Sequence, residues 1–368
     1  MIRLIHFYIL GFEVYMKDKI IVYSFVIYLL VFSLFGIILK DKEISFTERR
    51  KLKDFPEFTL KSDYSENLEK YLLDQFPLRD NFRSLKASFN YKILNKLDNN
   101  DVFIYNDYIF KKEDLNKNSI DNFINHIEIT KSYLNEDNNT YMLIIPDKSY
   151  YLDSKDYLKL DYDYIYNEID KLDINKIDIR NIMELLDYYQ TDTHWRQEKI
   201  EKVVKKIDKE MSFNYQEQEF IKNTYNKFYG VYYGEASIKR NPDKLIYLTN
   251  NIIDNVNVKY LENKNLKKIY NINKLNSFDS YEVYLDGASS FIEIENKNSK
   301  TSKELVIFRD SFASSLTPYL INNYKKITLI DNRYINSLNY KDLITFTNQD
   351  ILFMYSTLIV NNSFSLKN

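Results

Sequence analysis

The sequence has no cysteine in 368 residues and only 5 glycines, 5 prolines, 3 histidines and 1 tryptophan. The lack of cysteine excludes disulfides, thiolate metal sites and a cysteine nucleophile. So few glycines argue against a loop that cradles phosphate, and Walker, dinucleotide-binding, zinc-protease and EF-hand patterns are all missing from the sequence. We therefore expect neither a metal nor a cofactor.

Charge of one sign is also lacking, because 51 basic and 53 acidic side chains give a formal net charge of −2. Without a basic excess, nucleic acid is not an expected partner. Hydrophobic residues make up 45% of the chain, which is enough for one large domain with a buried core plus an appendage. The 34 tyrosines are interpreted mainly as core and surface residues, with a carbohydrate-lining groove as the alternative.

One stretch is long and apolar enough to cross a membrane. Residues 20–39 include no charged side chain, and at about 1.5 Å per residue a helix of this length spans roughly the hydrocarbon core of a bilayer. A cleavable signal usually has a shorter apolar core followed by small residues, and residues 36–40 offer no such site. Residues 16–40 are therefore predicted to form an uncleaved, single-pass anchor in the cell membrane.

The orientation of this anchor is predicted from the size of the domain that follows it. Basic residues are more numerous after the span than before it, which on its own would place the downstream chain inside. Long downstream domains translocate largely regardless of charge, so we expect the rest of the chain outside the cytoplasm. Residues 16–19, Met-Lys-Asp-Lys, are typical of a natural start, and residues 1–15 are therefore treated as an uncertain N-terminal extension.

Beyond the anchor, residues 41–98 are predicted to be a juxtamembrane linker with two packing helices, and residues 99–368 to be the main domain. The first helix is expected to stop at Pro77, because proline cannot continue a helix. In the second helix, apolar residues recur at a spacing that would bury one face. These residues are Phe82, Leu85, Phe89 and Ile93.

The main domain alternates between strand and helix patterns. Residues 102–104 and 108–110 are predicted to pair as a hairpin. Helices are predicted over 123–133 and 200–207, short apolar elements over 141–145, 179–186, 245–248, 305–308 and 327–330, and Asn-rich loops near 95–101, 134–139 and 249–276. Such alternation predicts an α/β fold with a mainly parallel sheet covered by helices, and sites at the carboxyl ends of its strands.

Two short motifs carry residues with catalytic chemistry. Residues 192–195, Asp-Thr-His-Trp, place an acid two positions before a histidine. Residues 308–312, Phe-Arg-Asp-Ser-Phe, end a buried strand pattern just before a helical segment. His126 lies in a helical pattern and His6 in an apolar run, so His194 is the candidate base.

A Ser-His-Asp triad needs a base beside the hydroxyl and a carboxylate that orients the base. Asp192 and His194 come from one short loop, whereas Ser311 has to be brought in by the fold. A strand-to-helix turn would project the Ser311 hydroxyl from the sheet edge and offer backbone N–H groups to an oxyanion. Each motif alone is more often structural, the first as a surface or capping pair and the second as a helix cap. Their joint presence favours catalysis.

These motifs resemble the DHHW-type family of bacterial proteins, which is related to the permuted SGNH-hydrolase-like superfamily that includes alginate O-acetyltransferases. The family's Asp-(His or Thr)-His-Trp and Asp-Ser-(Phe or Tyr) elements fall on residues 192–195 and 310–312. Weaker words occur in the family's order: Thr47-Glu48-Arg49 with Phe55-Pro56, Asp74-Gln75-Phe76-Pro77-Leu78-Arg79, Ile144-Ile145-Pro146-Asp147-Lys148, Phe228-Tyr229-Gly230 and Ile330-Asp331-Asn332-Arg333-Tyr334. The resemblance covers residues 45–335. Arg309 departs from it, standing where the wider superfamily has glycine, and Glu198-Lys199 replace a Gly-Ala pair.

The resemblance implies an SGNH-hydrolase-like, three-layer fold and an external serine O-acyltransferase or esterase that acts on a cell-surface or extracellular polysaccharide. Ser311 would be the nucleophile, His194 the base and Asp192 its orienter. Acetyl is the implied acyl group, delivered by a separate membrane-bound acyltransferase. Transfer and hydrolysis share an acyl-enzyme, so the sequence leaves both open.

Four further residues are predicted to contact the substrate, namely Lys148, Tyr189, Trp195 and Arg333. Lys148 follows a predicted strand, with a surface lysine as the alternative interpretation. Arg333 could hold the carboxylate of an anionic glycan in a bidentate pair, with a salt bridge to Asp331 as the alternative.

The second functional hypothesis is a non-catalytic glycan-binding or scaffold protein of a cell-envelope assembly. The intact set of Asp192, His194 and Ser311 argues against it. Arg309 argues for it, because a bulky side chain next to the serine leaves the oxyanion geometry in question.

Overall fold

The computed structural model describes residues 2–59, 63–153, 157, 159–262 and 266–367, with side chains from residue 17 onward. The chain forms two compact units, Met1–Lys86 and Ala87–Asn368. In the described residues the helices are α1 Ile2–Ile38, α2 Asp63–Asp74, α3 Arg79–Lys92, α4 Lys117–Lys131, α5 Tyr162–Ile169, α6 Glu201–Met211, α7 Val231–Ala236, α8 Asn251–Asp254, α9 Phe312–Leu320, α10 Tyr340–Leu343 and α11 Thr357–Val360.

The strands of the described residues are β1 Ile44–Ser45, β2 Arg50–Lys51, β3 Val102–Tyr105, β4 Tyr108–Lys111, β5 Thr140–Ile145, β6 Asn175–Lys176, β7 Ile221–Phe228, β8 Asp243–Thr249, β9 Asn257–Tyr260, β10 Phe291–Glu295, β11 Glu304–Arg309, β12 Lys326–Ile330 and β13 Asp350–Ser356. Seven of them form one sheet in the order β6-β5-β13-β11-β12-β10-β9. Its first five strands are mutually parallel, and only β10 runs antiparallel to its neighbours. Strand β11 is the middle strand of the seven, with a parallel neighbour on each side.

Helices cover both faces of this sheet because alternate residues of its strands are apolar on both sides. On β11, Leu305 and Ile307 pack with α6 and α9, whereas Val306 and Phe308 pack with α4 and α5. The sheet is thus the middle of three layers. This confirms the predicted α/β class with a mainly parallel sheet.

Several local predictions are confirmed. The hairpin is present as β3 and β4, which pair in antiparallel register. The predicted helices near 123–133 and 200–207 are α4 and α6, and the apolar runs at 141–145, 305–308 and 327–330 are β5, β11 and β12.

Other local predictions are wrong for reasons of tertiary context. The run 179–186 forms neither an α-helix nor a strand; it is buried at Ile179 and Met183, and only its last two residues enter a short 3-10 helix, Leu185–Asp187. The run 245–248, by contrast, is a strand as predicted, although among the described strands β8 pairs with β7 in a separate ribbon and not with the main sheet. The Asn-rich stretch 249–276, predicted as loop, includes the edge strand β9, because pairing with β10 outweighs its composition.

In the first unit, α1 includes Lys17–Ile38, a segment of 22 residues that is long and apolar enough to cross a membrane. None of its most apolar stretch is buried. A signal sequence meets the same criterion, so anchoring stays a prediction. Helices α2 and α3 match the two predicted packing helices, but the apolar face of α3 is not buried as expected. Phe82 and Leu85 are 37% and 65% exposed.

Candidate active site

Ser311 lies at the turn between the central strand β11 and helix α9. Asp310 fixes this turn, because its Oδ1 accepts a hydrogen bond from Phe312 N at 3.0 Å and its Oδ2 accepts one from Ser356 N at 2.7 Å. The Ser311 side chain is half-buried and makes no capping hydrogen bond to α9. Ser311 thus occupies the N-cap position of α9, but its hydroxyl does not cap the helix.

The structure brings Ser311, His194 and Asp192 together in the geometry that a triad requires. His194 Nε2 lies 2.7 Å from Ser311 Oγ, and His194 Nδ1 lies 2.6 Å from Asp192 Oδ1. Both distances are within hydrogen-bond range. Since Asp192 is an acceptor, its contact selects the imidazole tautomer with the proton on Nδ1 and leaves Nε2 free to accept from the serine. The catalytic role of the three residues stays a prediction.

Asp192 is fully buried and is fixed by backbone groups as well as by the imidazole. Its Oδ1 also accepts from His194 N at 3.0 Å, and its Oδ2 accepts from Val231 N at 2.9 Å at the start of α7. A buried carboxylate needs such donors to remain charged. The acid is therefore held in one orientation from two sides.

Lys148 supports the Asp192 loop from beneath. Its ammonium group is buried and donates to three backbone carbonyls, those of Tyr189 at 3.0 Å, Gln190 at 3.0 Å and Asp192 at 2.7 Å. Burial lowers the pKa of Lys148 to about 7, an effect partly opposed by Asp243 and other nearby carboxylates. All three N–H donors of the ammonium are thus used to hold the loop.

Asp243 and Gly230 hold the same loop from its other sides. Asp243 accepts from the backbone N–H groups of Gln190 and Thr191 and from the Thr191 hydroxyl, at 2.6–2.9 Å. Gly230 N donates to Thr191 Oγ1 at 2.9 Å. A Cβ on Gly230 would lie 2.3 Å from Asp192 Cβ, which is closer than real atoms approach. Only glycine fits there, because the two backbone segments touch.

The imidazole is held between aromatic rings. The His194 ring stacks on Tyr281, with centroids 3.8 Å apart and planes 10° apart, and Phe312 lies 4.8 Å away. Tyr281 OH and Trp195 Nε1 both donate to Ser315 Oγ, at 3.0 and 2.9 Å. Ser315 of α9 is therefore the polar contact that joins the histidine side of the site to the serine side.

Arg309, the departure from the superfamily pattern, is buried beneath the turn and does not prevent the contact between His194 and Ser311. Its Nη1 donates to Ser314 Oγ at 2.7 Å and to Asp310 O at 3.3 Å. Among the described residues, its Nε and Nη2 have no hydrogen-bond partner. Burial lowers its pKa, and the charge of Asp331 opposes that shift.

The four residues predicted to contact substrate are placed differently from expectation. Trp195 and Tyr189 are completely buried in the core, and the Lys148 ammonium has no surface to offer a ligand. Arg333 donates from Nε and Nη2 to Asp331 at 2.9 and 2.6 Å, which is the alternative salt bridge. A substrate carboxylate would have to displace Asp331 to bind the same edge of the guanidinium.

Sequence reasoning missed Tyr281, Asp243 and the role of Gly230. Gly230 lies in one of the weaker family words, Phe228-Tyr229-Gly230, so a scarce glycine in that word was the available signal. Tyr281 and Asp243 carried none, since they are two of many tyrosines and aspartates in unremarked stretches.

Comparison with solved structures identifies the fold. A DHHW family protein from Eubacterium siraeum DSM 15702 superposes with a TM-score of 0.60 at 17% identity, over 74% of this chain and 97% of that one. PatB1 of Bacillus cereus with a sulfonyl adduct matches with a TM-score of 0.56 at 20% identity, over 73% of this chain and 100% of that one. A second PatB1 structure gives a TM-score of 0.55 at 20% identity, over 70% and 96% of the two chains.

No protein-family model matches the sequence, and none of the curated proteins matches it. At these sequence identities the structural matches establish the fold only. Any catalytic activity has to be argued from the residues of this chain. This chain has the fold of a DHHW family protein, as the two sequence motifs predicted.

Proposed function

We propose that this protein is a membrane-anchored, extracytoplasmic serine O-acyltransferase or esterase, with acetyl as the acyl group and a cell-surface or extracellular polysaccharide as substrate. The observation that carries the proposal is the unbroken series of contacts from Ser311 Oγ to His194 Nε2 and from His194 Nδ1 to Asp192 Oδ1. A hydroxyl paired in this way with an oriented imidazole is the arrangement that activates serine as a nucleophile.

In the proposed reaction, Ser311 Oγ attacks the carbonyl carbon of an acyl ester while His194 Nε2 takes the hydroxyl proton. Asp192 stabilises the resulting imidazolium without itself becoming protonated. When the tetrahedral intermediate collapses, the bond to the leaving alcohol breaks and His194 returns the proton to that oxygen. A sugar hydroxyl or water then attacks the acyl carbon while His194 takes the proton of this acceptor. As the bond to Ser311 Oγ breaks, His194 returns the proton to that oxygen and the free serine is restored.

The oxyanion of each intermediate needs hydrogen-bond donors at the serine. Among the described residues, the Ser311 backbone N–H is not engaged in any hydrogen bond, so it is available as one donor. It also lies at the N-terminal end of α9, where the helix dipole favours negative charge. The next N–H, that of Phe312, is already committed to Asp310.

Two further observations support an active rather than a decayed site. PatB1 of Bacillus cereus, which shares the fold, has been solved with a sulfonyl adduct, and sulfonyl reagents react with activated nucleophiles. Arg309, the residue that favoured a non-catalytic glycan-binding or scaffold protein, is paired beneath the turn instead of filling the site.

The test is covalent labelling of the full chain in detergent with a sulfonyl fluoride, followed by intact mass and peptide mapping. We expect one adduct, on Ser311, no labelling of Ser311→Ala, and much slower labelling of His194→Ala. Ser365→Ala, which alters an exposed hydroxyl, is the control. Hydrolysis of an activated acetyl ester should follow the same order. Equal labelling or ester turnover of Ser311→Ala and the unaltered chain would refute the triad.

A further inference from the structure

The first unit exposes an apolar surface next to the membrane-spanning segment. We call it the apolar ledge, and it consists of residues of α2, α3 and the turn between them: Leu72, Leu73, Phe76, Leu78, Phe82 and Leu85. Their exposed fractions run from 37% for Phe82 to 65% for Leu85. Six neighbouring large apolar residues with this exposure form a patch of a kind that usually marks an interaction site.

In α3, the ledge is the apolar face of a helix whose opposite face is polar. Phe82, Leu85 and Phe89 recur on α3 at the spacing of one helical stripe, and all three are exposed. Leu78 lies in the turn just before this helix. Asp80 points away from Phe82, because the two residues are about half a turn apart on α3.

The polar side of the first unit is already satisfied within the unit. Arg79 pairs with Glu48, and Arg50 forms a bidentate pair with Asp74. The charged residues therefore have partners, while the ledge faces outward. An exposed apolar stripe beside a satisfied polar face is the pattern of a helix that lies in a membrane interface.

The ledge is continuous with the apolar span. Phe32 of α1 lies within Lys17–Ile38, and its ring stacks on Phe76 at 5.6 Å and meets Phe82 edge-on at 5.8 Å. Phe76 and Phe82 also contact each other at 5.7 Å. Phe32 lies six residues before Ile38, which is about 9 Å along a helix. If α1 crosses a bilayer, the ledge therefore reaches the acyl-chain side of the boundary between headgroups and acyl chains.

We propose that the apolar ledge binds the lipid surface, so that α2 and α3 rest in the boundary between headgroups and acyl chains while α1 crosses the membrane. This rests on the proposed anchoring.

The absence of cysteine makes the test clean, because one introduced cysteine carries the only label. Leu85→Cys probes the ledge, Asp80→Cys is the matched control on the opposite face of α3, and Ile27→Cys reports on the span. The full-length variants, labelled with an environment-sensitive fluorophore, are reconstituted into vesicles of phosphatidylcholine and phosphatidylglycerol. Some of these vesicles contain lipids with a nitroxide near the headgroup, and others contain lipids with a nitroxide deep in the acyl chain.

We expect the Leu85 label to be quenched by the shallow nitroxide at least about twofold more than the Asp80 label, because an interfacial helix buries only one face. The Ile27 label should be quenched by the deep nitroxide. If Ile27 is quenched and Leu85 is not, the lipid ledge is refuted while the anchor stands. If Ile27 is not quenched either, the anchoring itself fails.

Two other outcomes would also overturn the inference. Equal quenching of the Leu85 and Asp80 labels would mean that no particular face meets lipid. A Leu85 label shielded from water but untouched by either nitroxide would assign the ledge to a second copy of the chain. A Leu72→Cys label on α2 repeats the measurement on the other helix of the ledge, where the side chain is 56% exposed.

Discussion

The two halves of the candidate site are built in opposite ways. Ser311 lies between a central strand and α9, all nine residues of which are buried, so its position follows from regular structure and core packing. Asp192 and His194 lie in a loop without helix or strand, held by side-chain contacts from Lys148, Asp243 and Tyr281.

This difference determines how strongly each half of the site should respond to a single substitution. A packed helix spreads its stability over many contacts, so that one lost contact is shared among neighbours. A loop held by a few buried polar contacts depends on each of them, because an unmade buried hydrogen bond leaves its partner unsatisfied. Single substitutions should therefore damage the histidine half more sharply than the serine half.

The largest effect is expected from Gly230→Ala. The added methyl carbon would meet Asp192 Cβ and Cα at 2.3 and 2.4 Å, so either the loop or the start of α7 must move. Because a displacement of about 1 Å in a catalytic group can cost about 100-fold in rate, sulfonyl labelling and ester turnover should fall at least that much. Steady-state assays of ester turnover and stopped-flow measurements of labelling, made on Gly230→Ala and on the unaltered chain, would measure this loss of rate.

Gly36→Ala is the matched control, since no heavy atom lies within 4 Å of the position of its added carbon. It should leave the rate unchanged. Full activity in Gly230→Ala would mean that the Asp192 loop is adaptable, and the contrast between the two halves would collapse.

Lys148→Met should have the next largest effect. It removes the only side-chain cation seen to bind the carbonyls of Tyr189, Gln190 and Asp192, within the residues that the structure describes. The loop should loosen, and turnover should fall by about 10-fold to 100-fold with little change in KM for a small ester. Lys205→Met, at a surface ion pair, is the control and should have no effect.

The lowered pKa of Lys148 also predicts how the stability of the protein depends on pH. Its folded-state pKa of about 7 lies below the ordinary value of 10.5, so between these values the unfolded chain binds more protons than the folded chain. The free energy of unfolding should therefore rise with pH across that window, by up to about 1.4 kcal/mol per pH unit for this group. Denaturant unfolding of Lys148→Met should lack this rise. An identical slope in both proteins would contradict the assignment.

Ser315→Ala tests the contact between the halves and should have an intermediate effect. Its loss leaves Trp195 Nε1 and Tyr281 OH without their acceptor, at about 1–3 kcal/mol of stability for each buried donor. The His194 ring stacks on Tyr281, so turnover should fall as well, but less than in Gly230→Ala. Urea unfolding and ester kinetics measure the two effects. Stability lost without any change in rate would show that the stack on Tyr281 does not orient the imidazole.

The same contrast explains what the sequence could and could not predict. Ser311 was recognisable because an apolar run followed by Asp-Ser before a helical segment is a local pattern, and so was Asp192 two residues before His194. Lys148 was placed near the site, but its role depends on carbonyls 41–44 residues away, and carbonyl groups leave no mark in a sequence. Its burial makes it a loop support and not a ligand for substrate.

Tertiary packing also explains why other predictions from the sequence were wrong or missing. Trp195 belongs to the first motif and Tyr189 lies just before it in sequence, yet both side chains point into the core, because neighbours in a turn face different directions. The apolar face of α3 has helical periodicity, which predicts a helix but not what covers it. Strand β13, which pairs with both β5 and β11, was not predicted at all although its residues are apolar.

The smallest effect is expected from Arg333→Lys. Arg333 pairs with Asp331 through two nitrogens, and a lysine ammonium can keep the charge but loses the bidentate geometry. Asp331 is buried, but a lysine keeps one charged hydrogen bond to it, so the loss of stability should be that of the second hydrogen bond, about 1 kcal/mol. If Arg333 only supports Asp331, hydrolysis of a small neutral ester and binding of an anionic glycan should change by the same small factor. A selective loss of glycan binding would instead show that Arg333 contacts the substrate, because a polymer carboxylate would then have to displace Asp331 from the guanidinium.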